Sequence, residues 1–219
     1  TYTTNAWLSD SKTNNASAEG YDVTINNIGT LALGNYTVNK ASGTPNKIII
    51  NKAKLTVTAD GGKELTYGAT AGLNYTSVIS GLVNGDTSAG ETGSVIYNSA
   101  GWDSTTNKTG NAGQHDINVD VSGLSAANYD FEGVSAGNGL TIKKAQLTVT
   151  AADGITLTYG ATTGPNYTYN VSGLKYGEGK DVISGNAAYS STGWDSINNK
   201  TGNAGSYDIN LDGLGDLSA

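Results

Sequence analysis

The sequence predicts an all-β chain built from tandem small β-sandwich domains, and three observations carry that prediction. A long segment recurs at a fixed offset, short apolar runs alternate with a period of two, and the gaps between them are filled by Gly, Asn, Asp and Ser. Alternation of that kind marks half-buried strands, and those gap residues form turns because they tolerate positive φ or bond their own backbone.

The repeat is the strongest of the three. Lys52-Ala53-Lys54-Leu55-Thr56-Val57-Thr58-Ala59 returns as Lys144-Ala145-Gln146-Leu147-Thr148-Val149-Thr150-Ala151, an offset of 92 residues. The same offset carries Tyr67-Gly68-Ala69 onto Tyr159-Gly160-Ala161, Asn74-Tyr75-Thr76 onto Asn166-Tyr167-Thr168, and Trp102-Asp103-Ser104 onto Trp194-Asp195-Ser196. It also carries Asn111-Ala112-Gly113 onto Asn203-Ala204-Gly205. The first fifty or so residues read as a degraded copy of the repeat's second half, with Trp7 answering Trp102, Tyr21-Asp22 answering His115-Asp116, and Asn35-Tyr36 answering Asn128-Tyr129. The expected division is therefore 1–51 as the C-terminal part of a first repeat, 52–143 as a complete repeat, and 144–219 as a third repeat without its last strands. A period of 92 residues is too long for a solenoid coil and suits one small globular domain.

Within a repeat, Leu55 and Val57 alternate with Thr56 and Thr58. Similar alternation recurs at 65–67, 94–97, 116–121, 129–131 and 140–142. Asn84-Gly85 and Gly137-Asn138-Gly139 read as tight turns. About seven short strands in a domain of this size point to an immunoglobulin-like sandwich. A β-grasp-like domain with one short helix is the alternative, because 86–92 has room for a helical turn. Leu140-Thr141-Ile142 runs into Lys143-Lys144-Ala145-Gln146-Leu147 with no Gly- or Pro-rich spacer, so neighbouring domains are expected to couple closely in an elongated rod.

Composition narrows the classes of function. The 219 residues include 31 Gly, 2 Pro and no Cys, so turns abound and disulfides cannot contribute. All twelve basic residues are lysines, and the net charge is -7. Without arginine for bidentate phosphate contacts, and with a negative surface, nucleic acid is not expected as a partner. No run approaches the roughly 18 apolar residues of a spanning helix, so membrane insertion is not expected either. No signal-peptide pattern opens the sequence, and any export signal is expected outside it. The absence of cysteine leans towards the cell exterior.

In the order and spacing of their motifs, these residues resemble the MBG repeat of large bacterial surface proteins, including filamentous-haemagglutinin-like exoproteins. The matching elements are the opening Lys-Ala-x-Leu-Thr-Val-Thr-Ala, Leu-Thr-Tyr-Gly-Ala at 65–69 and 157–161, and Ser-Gly-Leu at 80–82 and 172–174. Gly-x-x-Asp-Ile-Asn at 113–118 and 205–210, Ser-Ala-Ala-Asn-Tyr at 125–129 and the closing Gly-Leu-Thr-Ile complete the set. The resemblance covers nearly the whole chain, less faithfully before Lys52. It implies an adhesin or biofilm-matrix protein at the bacterial surface or in a secreted matrix. It supplies no catalytic residues, and individual repeats of this kind serve mostly as stalk.

Candidate sites are few. His115 is the single histidine, and its counterparts are Tyr207 and Tyr21, an exchange a catalytic base would not survive; packing or an edge contact is its expected role. Tyr207 is a candidate for a corner bond that braces a loop against a strand. No catalytic triad, cofactor motif or metal-ligand spacing can be assembled, so no enzyme activity, cofactor or metal is expected. The most unusual segment is Gly101 to Gly113, repeated as Gly193 to Gly205 and answered loosely by Trp7 to Asn15. As a ligand loop it would stack Trp102 or Trp194 on a sugar face and use Asp103, Asn107, Asp195 and Asn199 to bond hydroxyls. The competing and favoured reading is a long hairpin whose tryptophan caps the end of the core or the neighbouring domain. Calcium is disfavoured there, since Asp103, Asn107 and Asn111 bring one formal charge and no compact-loop spacing. Asn-x-Ser/Thr triplets at Asn15, Asn35, Asn74, Asn107, Asn166, Asn170 and Asn199 are candidate glycosylation sites. Lysines near asparagines are too common to argue for an isopeptide crosslink.

The expected function is a structural stalk of an extracellular adhesin or matrix protein, serving surface attachment or cell–cell cohesion. Its expected partners are other repeats of the same parent chain, host or matrix glycans, or like molecules. A carbohydrate-binding module using the Trp102 and Trp194 loops is one alternative. Another is a filament: should Ala219 be a true terminus, the third repeat lacks strands of the half that opens the sequence, and molecules could complete one another by strand addition.

Overall fold

The computed structural model describes residues 2–8, 12–28, 38–41, 43 and 46–219. Asn35 and the Asn35-Tyr36 pair lie outside the described residues. The chain divides into two compact units, one of Thr1–Glu64 with Ala71–Ile142, the other of Leu65–Thr70 with Lys143–Ala219. Almost everything regular is strand; among the described residues the one helical element is a single 3-10 turn at Lys180–Val182.

In the first unit, β1 (Tyr2–Thr4), β2 (Ser17–Ile25) and β3 (Asn46–Ile50) form a sheet in that order. The complete repeat then supplies β4 (Ala53–Ala59), β5 (Lys63–Thr66), β6 (Ser77–Ser80), β7 (Ile96–Asn98), β8 (Trp102–Asp103), β9 (Lys108–Thr109), β10 (Gly113–Asp120), β11 (Tyr129–Val134) and β12 (Ala136–Lys143). These strands build two layers, one in the order β11-β4-β6 and one in the order β5-β12-β10-β7, with β8 and β9 as a separate small hairpin. Strand β10 contacts β4 and β11 across the layers. This is the all-β sandwich that the alternation predicts. The 86–92 segment is irregular backbone with one bend and a lone bridge from Thr92 to Ser125, not a helix, and that removes the feature on which the β-grasp alternative rested.

The core follows from the period of two. Leu55, Val57 and Ala59 all point inward from β4 and are at most 5% exposed. Ile117 of β10, Tyr129 of β11, and Leu140 and Ile142 of β12 meet them, each at most 2% exposed. Strand β11 runs parallel to β4 over six consecutive pairs, from Tyr129 opposite Ala53 to Val134 opposite Thr58. Only Ser135 separates β11 from β12, which is too short for a hairpin reversal, so the chain passes from one layer to the other while running on in the same sense.

One predicted turn is confirmed and one is not. Asn84 and Gly85 have φ of 57° and 77°, the paired positive values of a type I′ turn. Asn138 also has positive φ, 52°, but it lies inside β12. There the β10–β12 register shifts between His115 and Ile117, and the Asn138 N–H donates to Asp116 Oδ1 at 2.7 Å. Gly137-Asn138-Gly139 is therefore an irregular, bulge-like stretch within a strand, made possible by a carboxylate that replaces the lost ladder acceptor.

The second unit rebuilds the same plan with β13 (Thr148–Ala151), β14 (Tyr169–Ser172), β15 (Ala188–Ser190), β16 (Trp194–Asp195), β17 (Lys200–Thr201) and β18 (Asn210–Gly213). Its registers reproduce those of the complete repeat at the same offset. Val149 faces Val171 as Val57 faces Ile79, Trp194 faces Thr201 as Trp102 faces Thr109, and Tyr189 faces Leu211 as Tyr97 faces Val119. Even the part-repeat keeps register: Tyr21 pairs with Ile48 as His115 pairs with Leu140.

Candidate functional site

The Trp-Asp loop is a short hairpin in both copies. Trp102 pairs with Thr109 and Asp103 with Lys108, leaving four residues to turn the chain, the last of them Asn107 at φ 53°. Trp102 is half-buried rather than presented, because its indole packs against Gly72: a Cβ built there would come within 2.6 Å of the ring nitrogen. Trp194 lies on Gly164 in the same way, at 3.1 Å, and Gly164 is the offset counterpart of Gly72. Each tryptophan thus has a matching glycine that admits it.

Asp103 and Asp195 spend their oxygens on their own loops. Asp103 Oδ1 accepts from the Thr105 and Thr106 amides at 2.8 and 3.3 Å, and Oδ2 from the Thr106 hydroxyl at 2.7 Å. Asp195 accepts from the Ile197 and Asn198 amides and from the Asn198 side chain at 3.0, 3.1 and 2.7 Å. The Thr106 hydroxyl, chiefly, holds the Asp103 carboxyl below the usual range, and the Asn198 side-chain amide does so for Asp195. A depressed folded-state value means that the loop is supported above the ordinary aspartate range near pH 4, and that support is lost as pH falls through the lowered value. Amide exchange at Thr105, Thr106, Ile197 and Asn198 is therefore expected to accelerate, beyond its intrinsic pH dependence, as the protein is titrated below about pH 4. Exchange that follows only the intrinsic curve would show that these carboxylates hold nothing. Asn107 and Asn199, the latter at φ 46°, are exposed and close the two loops.

His115 is explained by its counterparts. Its Nε2 lies 2.8 Å from the carbonyl oxygen of Asn111, which can only accept, so that nitrogen carries the proton. The Tyr207 hydroxyl donates to Asn203 O and the Tyr21 hydroxyl to Asn15 O, both at 2.7 Å. In three copies a ring of either kind reaches back to brace the loop before its strand, the corner role expected of Tyr207. His115→Tyr should leave stability within about 0.5 kcal/mol. His115→Ala should cost about 1 kcal/mol in urea denaturation, and equal losses for both variants would contradict the bond's role.

A second tyrosine brace was not foreseen. Buried Tyr129 donates to Asp86 Oδ2 at 2.6 Å and accepts from the Val83 amide at 3.2 Å, fixing the Asn84-Gly85 turn. Tyr75 stacks on Tyr97 with ring centroids 5.9 Å apart, and Tyr167 on Tyr189 at 5.3 Å, which accounts for the recurring Asn-Tyr-Thr. Of the candidate glycosylation sites, Asn15, Asn74, Asn107, Asn166, Asn170 and Asn199 are all exposed. Asn15 Oδ1 accepts from Asn128 at 2.9 Å. Among the described residues no group of three or more His, Cys, Asp or Glu forms a metal-binding cluster.

The third repeat differs from the second in its core. Leu147, Val149 and Ile209 occupy the places of Leu55, Val57 and Ile117, yet no residue after Ile142 is buried. Nothing in 144–219 corresponds to β11 or β12. Where β12 would lie there is a cavity of about 390 Å³ lined by Ile155, Leu157, Tyr167, Trp194, Tyr207 and Ile209.

Three elements shared by the copies hold the fold: a tryptophan on a glycine, a carboxylate closing a loop, a ring bonded to a carbonyl. No curated protein and no solved structure matches the chain. Residues 55–141 do match a family model, that of the MBG domain (YGX type), and they run from the buried Leu55 of β4 to Thr141, beside the buried Leu140 of β12. Residues 55–141 are an MBG domain of the YGX type, and the registers of β13 to β18 repeat its plan.

Proposed function

We propose that this chain is a stalk segment of an extracellular bacterial adhesin or biofilm-matrix protein, a non-enzymatic spacer that holds a binding region away from the surface. The observation that carries the reading is the kind of residue that the copies share. Trp102 and Trp194, Asp103 and Asp195, and the Tyr75–Tyr97 and Tyr167–Tyr189 stacks recur at an offset of 92, and each is engaged within its own repeat. The MBG match, a cysteine-free composition and a net charge of -7 agree with a protein that works outside the cell. Antibodies raised against the 219 residues should label intact, unpermeabilised source cells or their matrix. Labelling only after permeabilisation would overturn the reading.

A further inference from the structure

Residues 1–51 lie in the same compact unit as β4, β10 and β11 of the complete repeat. Only Asn51 and Lys52 separate β3 from β4. So short a link holds two bodies close without fixing the angle between them, and that angle is set by whatever else they share. Beside the link stands Asn128 of the Ser-Ala-Ala-Asn-Tyr motif. Its carbonyl accepts from the Ala53 N–H at 2.9 Å, where β4 begins. Its side chain reaches the part-repeat: Oδ1 accepts from the Ala16 N–H at 2.8 Å, and Nδ2 donates to Asn15 Oδ1 at 2.9 Å. Among short side chains only a carboxamide offers a donor and an acceptor on separate atoms, and aspartate would set a second acceptor against Asn15 Oδ1.

Tyr129, next in sequence, completes the arrangement. Its hydroxyl fixes the Asn84-Gly85 turn through Val83 and Asp86, and from that turn Asn84 Nδ2 donates to Thr13 Oγ1 at 3.0 Å. A Cβ on Gly85 would come within 3.4 Å of Lys12 Nζ, so the turn lies against the same segment. Glycine would meet the positive φ of Asn84 as well; asparagine adds the side chain that crosses to Thr13. The segment so held is a shared one. The Asn14 N–H donates to Ala6 O at 3.0 Å, as Gly110 does to Gly101 O and Gly202 to Gly193 O, which makes Asn15, Asn111 and Asn203 equivalent. Each gives its carbonyl to the ring brace of its own repeat. At Asn15 the backbone thus serves its own repeat while the side chain serves the neighbour.

We propose that Asn128 and Asn84 form a docking surface of the complete repeat whose partner is the asparagine-bearing loop of the repeat before it, Thr13 to Ala16, and that this amide clamp sets the angle across the Asn51-Lys52 link. The Asn-Tyr pair then has two duties: the tyrosine shapes the turn and the asparagine holds the neighbour. The inference stands whichever surface or matrix the repeats serve.

The absence of cysteine makes the test direct. Nitroxides at Glu19→Cys and Ser104→Cys, exposed positions on either side of the link, report one distance distribution in the full chain. Asn128→Ala and Asn84→Gly should each broaden it about twofold, since domains that share little interface move by default. Asn118→Ala should leave it unchanged, because the bond it removes, Asn118 Nδ2 to Asn98 Oδ1 at 3.1 Å, lies wholly inside the complete repeat. An unchanged distribution in folded Asn128→Ala or Asn84→Gly protein overturns the proposal. Equal broadening by Asn118→Ala does so too, since the effect would then be a general loosening. Should Asn128→Ala fail to fold, Asn15→Ala removes the Asn128 Nδ2 bond from the other side and keeps the Asn15 carbonyl that braces Tyr21. An unchanged distribution in that variant is equally fatal.

Discussion

Leu55→Ala is expected to cost the complete repeat about 3 kcal/mol, while the equivalent Leu147→Ala costs the third repeat only about 1 kcal/mol. The two leucines hold the same place in sequence and in strand register, so the difference isolates what surrounds them. Leu55 is 0% exposed and packs with Tyr129 and Ala126, with Ile79, Leu82 and Phe131 beside them. Removing its side chain opens a cavity that the two layers cannot close, because β11 and β12 are pinned to β4 and β10 by their ladders. Leu147 is already half-exposed, so truncation there gives back little buried area and leaves no sealed void. Hydrogen exchange resolved by strand reads both at once: amides of β4, β10 and β12 should lose about two orders of magnitude of protection in Leu55→Ala, as 3 kcal/mol requires. Equal costs at the two positions would mean that the third repeat has a closed core, contrary to the burial seen here.

A second large effect is expected when residues 144–219 are offered the two strands that cover their counterparts in the complete repeat. A peptide of residues 127–143 carries Tyr129, Leu140 and Ile142 in the order in which β11 and β12 present them. Added to the 219-residue chain, it should seat beside β13 and across the cavity near Ile209, burying Leu147 and Val149. At a hundredfold excess over its dissociation constant the gain is about 2.7 kcal/mol, roughly a hundredfold slowing of exchange in β13 and β14. The same peptide with Leu140→Asp and Ile142→Asp should do nothing, since a charge cannot enter that slot unpaired. If the native peptide is also inert, β11 and β12 are not what separates the buried core of the complete repeat from the half-exposed one of 144–219.

Much of the fold was legible in the sequence because it is local. Alternation at Leu55 and Val57 places β4, Asn84-Gly85 marks its turn, and the offset of 92 finds its match in register after register. The errors have local causes as well. Gly137-Asn138-Gly139 has the composition of a turn, and only the Asp116 carboxylate, 22 residues away, makes it an irregular strand instead. Residues 86–92 had room for a helical turn and form none. The functional elements were less legible. The tryptophan's glycine lies 30 residues upstream of it, and the partner of Asn15 lies 113 residues downstream, beyond any spacing rule. The exchange of His115 for tyrosine did point to a brace, because only a ring with a polar edge satisfies all three copies.

The parallel pairing of β4 with β11 has a mechanical consequence. A repeat is entered at Ala53, the start of β4, and left at Lys143, the end of β12. Since β11 runs with β4 and continues through Ser135 into β12 without reversing, the entry and exit points lie towards opposite poles of that repeat. Tension applied through the polypeptide would then pull β4 lengthwise against β11, loading all six registered pairs together instead of peeling them one after another. Rupture under such shear requires the whole ladder to yield in one event, so the lifetime of a loaded repeat follows its unfolding barrier rather than its equilibrium stability. A domain so threaded resists traction along the same axis on which its chain arrives and departs.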